Sequence, residues 1–400
     1  MFPEGFIELL QASTGHADTV AEALTKAPSV SIRLNPAKLQ ECPFPDAEKV
    51  PWSPYGYLLK ERPVFTLDPL FHAGCYYVQD TSAMFVGHVF REVTQHLQPG
   101  CRVLDLCAAP GGKTTDLAAS LRERFGDRYS LIANEVMKNR FAVLRSNVET
   151  WGDPCVATVS RDPSAFGDEP AFDAIVADVP CSGEGMFRKD EEAIADWSLR
   201  TVEFCAARSR RILADIWPTL TPGGILIYST CTFNHFENDD TVAWIAEELG
   251  ADVIPLPAFP PVVNTAHGQA LLPGLVPGEG QYVAALRKHD SENIGVLSGR
   301  ANGTFPVASA YFSATGKVPS PSGRNTAGSP GNNLAGPLVN VDRLTALHYL
   351  HGDAIVLPEG APIGPVTIGY EGHALGPRKN LGKRCNNLYP KNKRIRMDIR

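Results

Sequence analysis

The stretch that most constrains the fold is LDLCAAPGGKTTDLAA, residues 104–119, where an apolar run ends in an acid and leads into two adjacent glycines. This order is typical of the first strand, turn and helix of an open α/β sheet, whose ligands bind beyond the carboxyl ends of the strands. Because Gly111 and Gly112 have no Cβ, the backbone can approach a ligand closely and present N–H groups at a helix start. The stretch predicts an anion or nucleoside site.

Three classes of ligand compete for this turn. A phosphate-binding P-loop needs glycine at position 107, where this chain has Cys107. The dinucleotide fingerprint G-x-G-x-x-G is also missing. A nucleoside-type cofactor such as S-adenosylmethionine remains, because backbone groups can hold its amino-acid end without a pyrophosphate site. The residues predicted to bind the cofactor are Cys107, Ala108, Ala109, Pro110, Gly111, Gly112 and Lys113.

Strand-like and helix-like segments alternate through the middle of the chain. Alternation of this kind predicts a mostly parallel, doubly wound sheet, so the expected fold class is α/β. The segment QYVAALRKH resembles the last strand of such a sheet. The predicted helices are 80–94, 113–124, 137–149, 192–215 and 239–249.

The pattern changes near both ends of the chain. Helical periodicity in residues 4–27, followed by the strand-like SVSIRLNP, predicts a small N-terminal module. After about residue 290 short strands and turns dominate. The predicted domains are residues 1–75, a central cofactor-binding α/β domain at 76–290, and a β-rich module at 291–400 with a flexible loop at 313–337. Strands expected in the last module are DAIVLP (353–358), VTIGYEG (366–372) and KRIRMDI (393–399).

Cysteine and histidine usage bears on cofactors and location. The nine cysteines are odd in number and form no CxxC pair, which argues against a disulfide framework or a zinc knuckle. Ten histidines show no ligand spacing, and HFENDDT (235–241) is better explained by helix caps, so no metal is predicted. With no membrane-length apolar run and no signal-peptide pattern, we expect a cytoplasmic protein.

Charge is unevenly distributed along the chain. The net charge is −7, yet residues 376–400 hold nine Lys or Arg and one Asp. Such a basic segment, with Tyr389 and amide side chains interleaved, is the electrostatic footprint of a phosphate-backbone contact. A solvated basic tail explains the charge alone equally well.

Charged residues at the strand ends are candidates for cofactor contacts. Glu135 ends LIANE, where an acid accepts hydrogen bonds from ribose hydroxyls. Asp162 would lie near the adenine edge or cap a turn. Asp105 is expected to orient the turn. Arg140 braces the ribose acid or covers its helix face, and the sequence favours neither interpretation.

Two cysteines follow neighbouring strands. Cys181 lies in DVPCSGEGMF after the fourth strand, and Cys231 lies in YSTCTF at the end of the fifth. A single cysteine is more often a buried small hydrophobe than a nucleophile. Two at the edge where ligands bind favour a catalytic function, whereas Cys107 is expected to help pack the turn.

The stretches LDLCAAPGGKT, DVPCSGEGMFRKD and YSTCT resemble the signature motifs of the Sun-type RNA cytosine-5 methyltransferases. The similarity is greatest to the bacterial ribosomal small-subunit methyltransferase F subgroup, and it extends from SIRLNP and YYVQDTSAM to KNLGKRCNNLYPKNKRIR. The resemblance implies a Rossmann-like sheet of seven strands with the last antiparallel, S-adenosylmethionine as cofactor, RNA as substrate and a PUA-like C-terminal module. Val179 stands where the family usually has Ala.

The resemblance also implies roles for four residues. The Cys231 thiol would attack carbon 6 of cytosine, and Cys181 would help to release the product. Asp178 would hydrogen-bond the base as negative charge develops there. Lys113 would contact the cofactor or the flipped base, and its charge would lower the pKa of both thiols. Transfer RNA as substrate, or a non-catalytic ribosome-assembly factor, are the alternatives.

RNA contacts are expected at two places. Arg188 and Lys189 follow the Cys181 motif and would grip the RNA backbone, and the target base would leave its stack to reach the thiols. No obligate protein partner is inferred, so we expect a monomer. The residues of the basic tail predicted to bind RNA are Lys379, Lys383, Arg384, Asn387, Tyr389 and Arg394.

Overall fold

The computed structural model describes residues 2–167, 170–290, 336–382 and 385–399 of the chain. Its strands form three sheets of four, nine and four strands. No helix in these ranges is long and apolar enough to cross a membrane. The predicted division into 1–75, 76–290 and 291–400 stays a prediction.

The N-terminal part begins with two short helices and continues into a small antiparallel sheet of order β2-β3-β1-β4. Strand β1 contains the SIRL of the SIRLNP motif and lies between β3 and β4, so most of its side chains are buried. The elements are α1 (Phe6–Thr14), α2 (Ala17–Leu24), β1 (Val30–Leu34), β2 (Glu48–Lys49), β3 (Gly56–Leu59), α3 (Pro69–His72) and β4 (Tyr76–Val78).

The central part alternates helices and strands as the sequence predicts, with one difference. The helix expected at 192–215 is two helices, because Trp197 is extended and Ser198 caps the second by accepting the Thr201 N–H. The elements are α4 (Thr81–Val93), β5 (Arg102–Asp105), α5 (Gly112–Phe125), β6 (Ser130–Asn134), α6 (Lys138–Trp151), β7 (Val156–Val159), β8 (Phe172–Asp178), α7 (Glu191–Asp196), α8 (Leu199–Ile216), β9 (Leu220–Thr230), α9 (Asp239–Leu249), β10 (Ala251–Val253), β11 (Val263–Asn264), β12 (Gln269–Leu271) and β13 (Gln281–Lys288).

The central sheet has the order β11-β12-β13-β9-β8-β5-β6-β7, with β10 also paired to β13. Strands β5 to β9 are parallel to their neighbours, and β13 is antiparallel to β9. Seven strands therefore match the arrangement that the resemblance implies, and the short β11 and β12 extend one edge. The carboxyl ends of β5, β6, β8 and β9 meet at one edge of the sheet.

The C-terminal part contains a small sheet of order β14-β15-β16-β17 and one helix. The strand predicted at 366–372 is present, but those predicted at 353–358 and 393–399 are wrong. Both edges of β15 are already paired, and Ile355 and Ile395 are buried from irregular segments. The flexible loop predicted at 313–337 lies almost wholly outside the described residues. The elements are β14 (Leu338–Asn340), α10 (Arg343–His351), β15 (Gly364–Tyr370), β16 (His373–Asn380) and β17 (Cys385–Asn387).

The N-terminal and C-terminal parts share one hydrophobic core, which we call the shared core. It joins side chains of the first sheet, such as Ile32 and Tyr76, to Leu347 on α10 and Ile368 on β15. The Arg343 guanidinium also donates to the Leu67 carbonyl oxygen at 2.7 Å. The two ends of the described chain are therefore packed as one unit beside the central sheet.

Arg33 on β1 connects the first sheet to the central one. Its side chain is fully buried, and it donates to the Gln79 Oε1 at 2.8 Å, the Thr115 Oγ1 at 2.5 Å and the Gly112 carbonyl oxygen at 3.1 Å. Its Nε lies 3.8 Å from the buried carboxylate of Asp116. Arg33 thus holds the first turn of α5, the helix that follows the glycine turn.

We predict that Arg33→Met lowers the free energy of unfolding by about 3–5 kcal/mol, because it leaves buried oxygen atoms without their donor. Thermal unfolding followed by circular dichroism measures the change. Arg200→Met, on the exposed face of α8, is the control. Equal melting temperatures for the two variants would contradict the role of Arg33.

Candidate active site

The glycine turn connects β5 to α5 at the carboxyl edge of the sheet. Gly111 has a φ of 110°, a left-handed conformation that favours glycine. The Pro110 carbonyl oxygen accepts hydrogen bonds from the Asn147 amide at 2.8 Å and the Tyr77 hydroxyl at 3.2 Å. The turn is thus fixed from both α6 and β4.

The acids of this edge lie on adjacent strands. Asp105 is fully buried, and burial raises its pKa to about 7, while the Thr114 hydroxyl donates to its Oδ2 at 2.6 Å. Glu135 is 3% exposed and accepts the Met137 N–H. Asp105 Oδ1 and Glu135 Oε2 are buried without a hydrogen-bond partner in the described structure. Unpartnered acceptors in this position fit the hydroxyl and ammonium donors of a nucleoside-type cofactor.

Other residues predicted for the cofactor site differ in their environment. Arg140 donates to the Ala109 carbonyl oxygen at 2.8 Å and lies 3.4 Å from Glu135 Oε2, which supports its bracing role over a merely covering one. Burial raises the pKa of the Cys107 thiol well above its usual range, in agreement with a packing role. Asp162 is exposed and caps a short turn by accepting the Ser164 N–H. Its contact with adenine stays a prediction.

The two predicted catalytic thiols meet at the edge between β8 and β9. The Sγ atoms of Cys181 and Cys231 are 3.3 Å apart, both residues are partly exposed and neither forms a disulfide. The hydrogen bond with Cys231 and burial raise the pKa of Cys181 well above its usual range. The expectation that Lys113 lowers the pKa of both thiols is therefore wrong for Cys181.

Asp178 and Lys113 lie at the same edge. The Lys113 Nζ donates to Asp178 Oδ2 at 2.9 Å, while Ser229 and Gln281 donate to Oδ1 at 2.7 and 3.1 Å. Burial disfavours the ammonium charge, but Asp178 outweighs burial and raises the pKa of Lys113. The anionic partner of this helix-start lysine is thus Asp178. Sequence reasoning missed Ser229 and Gln281, although strand register places Ser229 directly opposite Asp178.

A segment that sequence analysis interpreted as helix caps has another function. Asn238 stands at the N-cap position of α9 but makes no capping bond there; its side chain binds Thr230 and Thr232 instead. The neighbouring Glu237 is fully buried behind the thiols and accepts the Ser182 N–H. In the described ranges, His, Cys, Asp and Glu form no group of three or more that could hold a metal ion.

Several predicted RNA contacts are wrong or incomplete. Arg188 is 7% exposed, pairs with Glu279 at 2.7 Å and donates to the Gly278 carbonyl oxygen, so it is not available to RNA. Lys189 is exposed, with its Nζ 3.4 Å from Glu279 Oε1. A buried carboxylate distant in sequence explains this basic pair.

Residues of the basic tail that were predicted to bind RNA also contact other groups of the protein. Tyr389 is 6% exposed and packs on Tyr349, so it cannot stack on a base. Asn387 donates to the Tyr349 carbonyl oxygen, and the half-buried Arg394 donates to that of Tyr389. Lys379 is exposed. Lys383 and Arg384 lie outside the described residues.

Known protein families match three successive segments of this chain. A family model for 16S rRNA methyltransferase RsmB/F matches residues 93–287. Models for the N-terminal domain of 16S rRNA methyltransferase RsmF and for the methyltransferase RsmF PUA domain match residues 2–81 and 337–395. Ribosomal RNA small subunit methyltransferase F of Salmonella paratyphi A is 34% identical over 330 residues, which are 76% of this chain and 67% of that protein.

Solved structures agree with these matches. A methyltransferase homologue from Pyrococcus horikoshii is 27% identical, with a TM-score of 0.57 over 70% of this chain and 93% of that one. NSun6 from the same organism has a TM-score of 0.60 at 18% identity over 72% of this chain and 98% of that one, which shows the fold alone. The predicted α/β fold, with its methyltransferase sheet and PUA-like module, is confirmed.

Fold, glycine turn and family matches together define an RNA methyltransferase that uses S-adenosylmethionine as its cofactor. Within that class, the chain belongs to the RsmB/F family and is similar along most of its length to the ribosomal RNA small subunit methyltransferase F proteins.

We predict that Glu135→Gln weakens S-adenosylmethionine binding about tenfold, because the amide replaces a charged acceptor of the hydroxyl donors. The retained amide oxygen can still accept the Met137 N–H, so the fold should survive. Isothermal titration calorimetry gives the dissociation constant. Unchanged affinity relative to the control Glu92→Gln, on the exposed side of α4, would exclude Glu135 as a cofactor ligand.

Proposed function

We propose that this chain methylates carbon 5 of a cytosine in 16S ribosomal RNA through a transient covalent bond to Cys231. The observation that carries the proposal is the pair of reduced, partly exposed thiols, 3.3 Å apart, beside the Asp178–Lys113 ion pair at the cofactor edge. The relatives named for small-subunit ribosomal RNA support the choice of substrate. As the sequence leads us to expect, we also infer a monomer located in the cytoplasm.

The covalent step explains why a thiol is needed. Carbon 5 of cytosine is a poor nucleophile. When the Cys231 thiolate adds to carbon 6, the electron pair of the 5,6 double bond moves to carbon 5, which can then accept a methyl group. The cofactor supplies that methyl group on a positively charged sulfur. Loss of the proton from carbon 5 restores the double bond and expels the Cys231 thiolate.

Cys181 serves the last of these steps. The hydrogen bond between the two thiols and burial raise the pKa of Cys181, which favours a neutral thiol in the pair, and we assign that neutral thiol to Cys181. A neutral thiol next to the leaving sulfur can give its proton to that sulfur and take the carbon-5 proton in exchange, and it does not compete for carbon 6. This division of labour assigns attack to Cys231 and release to Cys181.

Asp178 holds the base in our proposal. An ionised carboxylate can accept about four hydrogen bonds, and Lys113, Ser229 and Gln281 provide three in the described structure. One acceptor position remains for the cytosine amino group, and these three donors fix its direction. Lys113 acts on the reaction mainly by orienting Asp178 and offsetting its charge.

RNA must deliver an unstacked base to this edge. The exposed side chains of Lys189, whose amine also pairs with Glu279, and of Lys379 are candidates for backbone contacts. The segment matched by the PUA-domain model supports an RNA-facing role for the C-terminal part. Lys383 and Arg384 keep their predicted role as phosphate contacts.

We predict that Cys231→Ala abolishes turnover, since it removes the thiol that we propose adds to carbon 6. Transfer of tritium-labelled methyl groups to an in vitro transcript of small-subunit ribosomal RNA measures this. Cys205→Ala, which removes a buried thiol of α8, is the matched control. Near-normal activity of Cys231→Ala would refute the assignment of the nucleophile.

We predict that Cys181→Ala keeps the attack but loses the release, so a covalent protein–RNA adduct accumulates. The adduct appears as a slowly migrating band on a denaturing gel. If the band is missing while Cys231 remains essential, the two thiols do not divide the labour as proposed.

Bisulfite sequencing of ribosomal and transfer RNA from cells with and without the protein tests the substrate. A 5-methylcytosine that disappears from small-subunit ribosomal RNA is the expected result. Disappearance from transfer RNA would instead support the alternative substrate. A failure of calorimetry to detect any S-adenosylmethionine binding would favour a non-catalytic assembly factor.

A further inference from the structure

A group of polar side chains, buried except for the half-buried Ser182, adjoins the two thiols. It links the loop that carries Cys181 to the loop that carries Cys231, and we call it the brace. Its members are Ser182, Glu184, Thr232, Asn234 and Glu237.

The two glutamates of the brace bind in a reciprocal manner. Glu184, on the Cys181 loop, accepts the Phe233 N–H of the other loop at 2.6 Å. Glu237, which follows Cys231, accepts the Ser182 N–H at 2.9 Å. Each carboxylate therefore holds a main-chain amide that lies one or two residues from the opposite thiol. Both glutamates are at most 1% exposed.

Asn234 joins the two carboxylates to each other. Its Nδ2 lies 2.9 Å from an oxygen of Glu184 and 2.9 Å from an oxygen of Glu237. The Ser182 and Thr232 hydroxyls add a direct contact of 2.9 Å between the loops. The Gly185 N–H also donates to the Cys231 carbonyl oxygen, and a Cβ on Gly185 would lie 2.9 Å from that same oxygen. The loops are thus in close contact along their whole length.

Burial of the two carboxyl groups of the brace costs free energy. The described donors to both carboxylates are uncharged, namely main-chain amides, the Asn234 amide and the Trp197 indole N–H. Burial raises the pKa of Glu237 to about 7, which reports the cost of charging it there. Apolar side chains would pack two loops together at lower cost, but without directional bonds. The brace therefore serves position rather than stability.

We propose that Glu184 and Glu237 are positioning residues that keep the Cys181 thiol within reach of Cys231 for product release. The inference rests on the proposed function for its chemical meaning, since it deepens the division of labour between the thiols. The distance between the Cys181 and Cys231 sulfur atoms, on which the proposal depends, can be probed without RNA.

Phenylarsine oxide provides that measurement, because its arsenic bridges two thiols only when they are close together. In the full-length protein we expect rapid bridging of Cys181 and Cys231, seen by peptide mass spectrometry and lost in Cys231→Ala. Glu237→Gln should slow bridging about tenfold, because the amide has one acceptor oxygen where the carboxylate has two, so it cannot hold both the Ser182 N–H and the Asn234 amide that leads to Glu184. Glu248→Gln, the same change on the exposed face of α9, should leave the rate unchanged.

Unchanged bridging in Glu237→Gln, with a normal melting temperature, would overturn the proposal. If Glu237→Gln does not fold, Glu184→Gln breaks the other half of the brace and is judged by the same criterion. Melting temperature and S-adenosylmethionine affinity, both expected to match the wild type, separate a local displacement of the thiols from general damage.

A second readout uses a transcript of small-subunit ribosomal RNA. With a displaced Cys181, Glu237→Gln should partly reproduce Cys181→Ala and accumulate covalent adduct, together with a lower kcat. A lower kcat without adduct, when Cys181→Ala does accumulate it, would reduce Glu237 to a structural role and refute the proposal. If Cys181→Ala itself yields no adduct, the proposed function fails in its release step, and the arsenical result alone decides on the brace.

Discussion

The site depends on the parallel pairing of two largely buried strands, β8 and β9. Their register sets Asp178 opposite Ser229, so the chain leaves both strands at the same height. Because parallel neighbours end at one edge, the residues that follow them, Cys181 and Cys231, emerge side by side. A shift of one residue would turn Asp178 away from Ser229 and separate the thiols. The apolar strand residues around this pair leave no room for such a shift.

The charged side chains at this edge of the sheet are distributed unevenly around the two sulfur atoms. The positive charge of Lys113 is directed to Asp178, while Cys181 has Cys231 and the buried Glu237 as neighbours. A buried carboxylate and a second thiol beside Cys181 disfavour a thiolate there. In our proposal, two chemically identical side chains thus acquire separate tasks from their positions, as other enzymes do with paired carboxylates.

Sequence reasoning predicted the parts of the site that depend on local pattern. The alternation of strands and helices, the glycine turn and the convergence of Cys181 and Cys231 all follow from residues close together in the chain. It was wrong for Arg188 and Tyr389, whose partners Glu279 and Tyr349 are distant in sequence. A sequence pattern does not show the partner of a basic or aromatic residue when that partner is distant in the chain. The brace was missed for the same reason, since Ser182 and Thr232 are 50 residues apart in the chain.

The shared core affects the order in which the parts of the chain fold. The apolar face of Ile32 and Tyr76 in the first small sheet packs against Leu347 and Ile368, which follow it in the chain only after the whole central sheet. Closing so long an interval of chain is entropically slow. The central sheet can form before the C-terminal residues pack against that apolar face. During synthesis, the segment that reaches α5 through Arg33 is therefore among the last to become fully ordered.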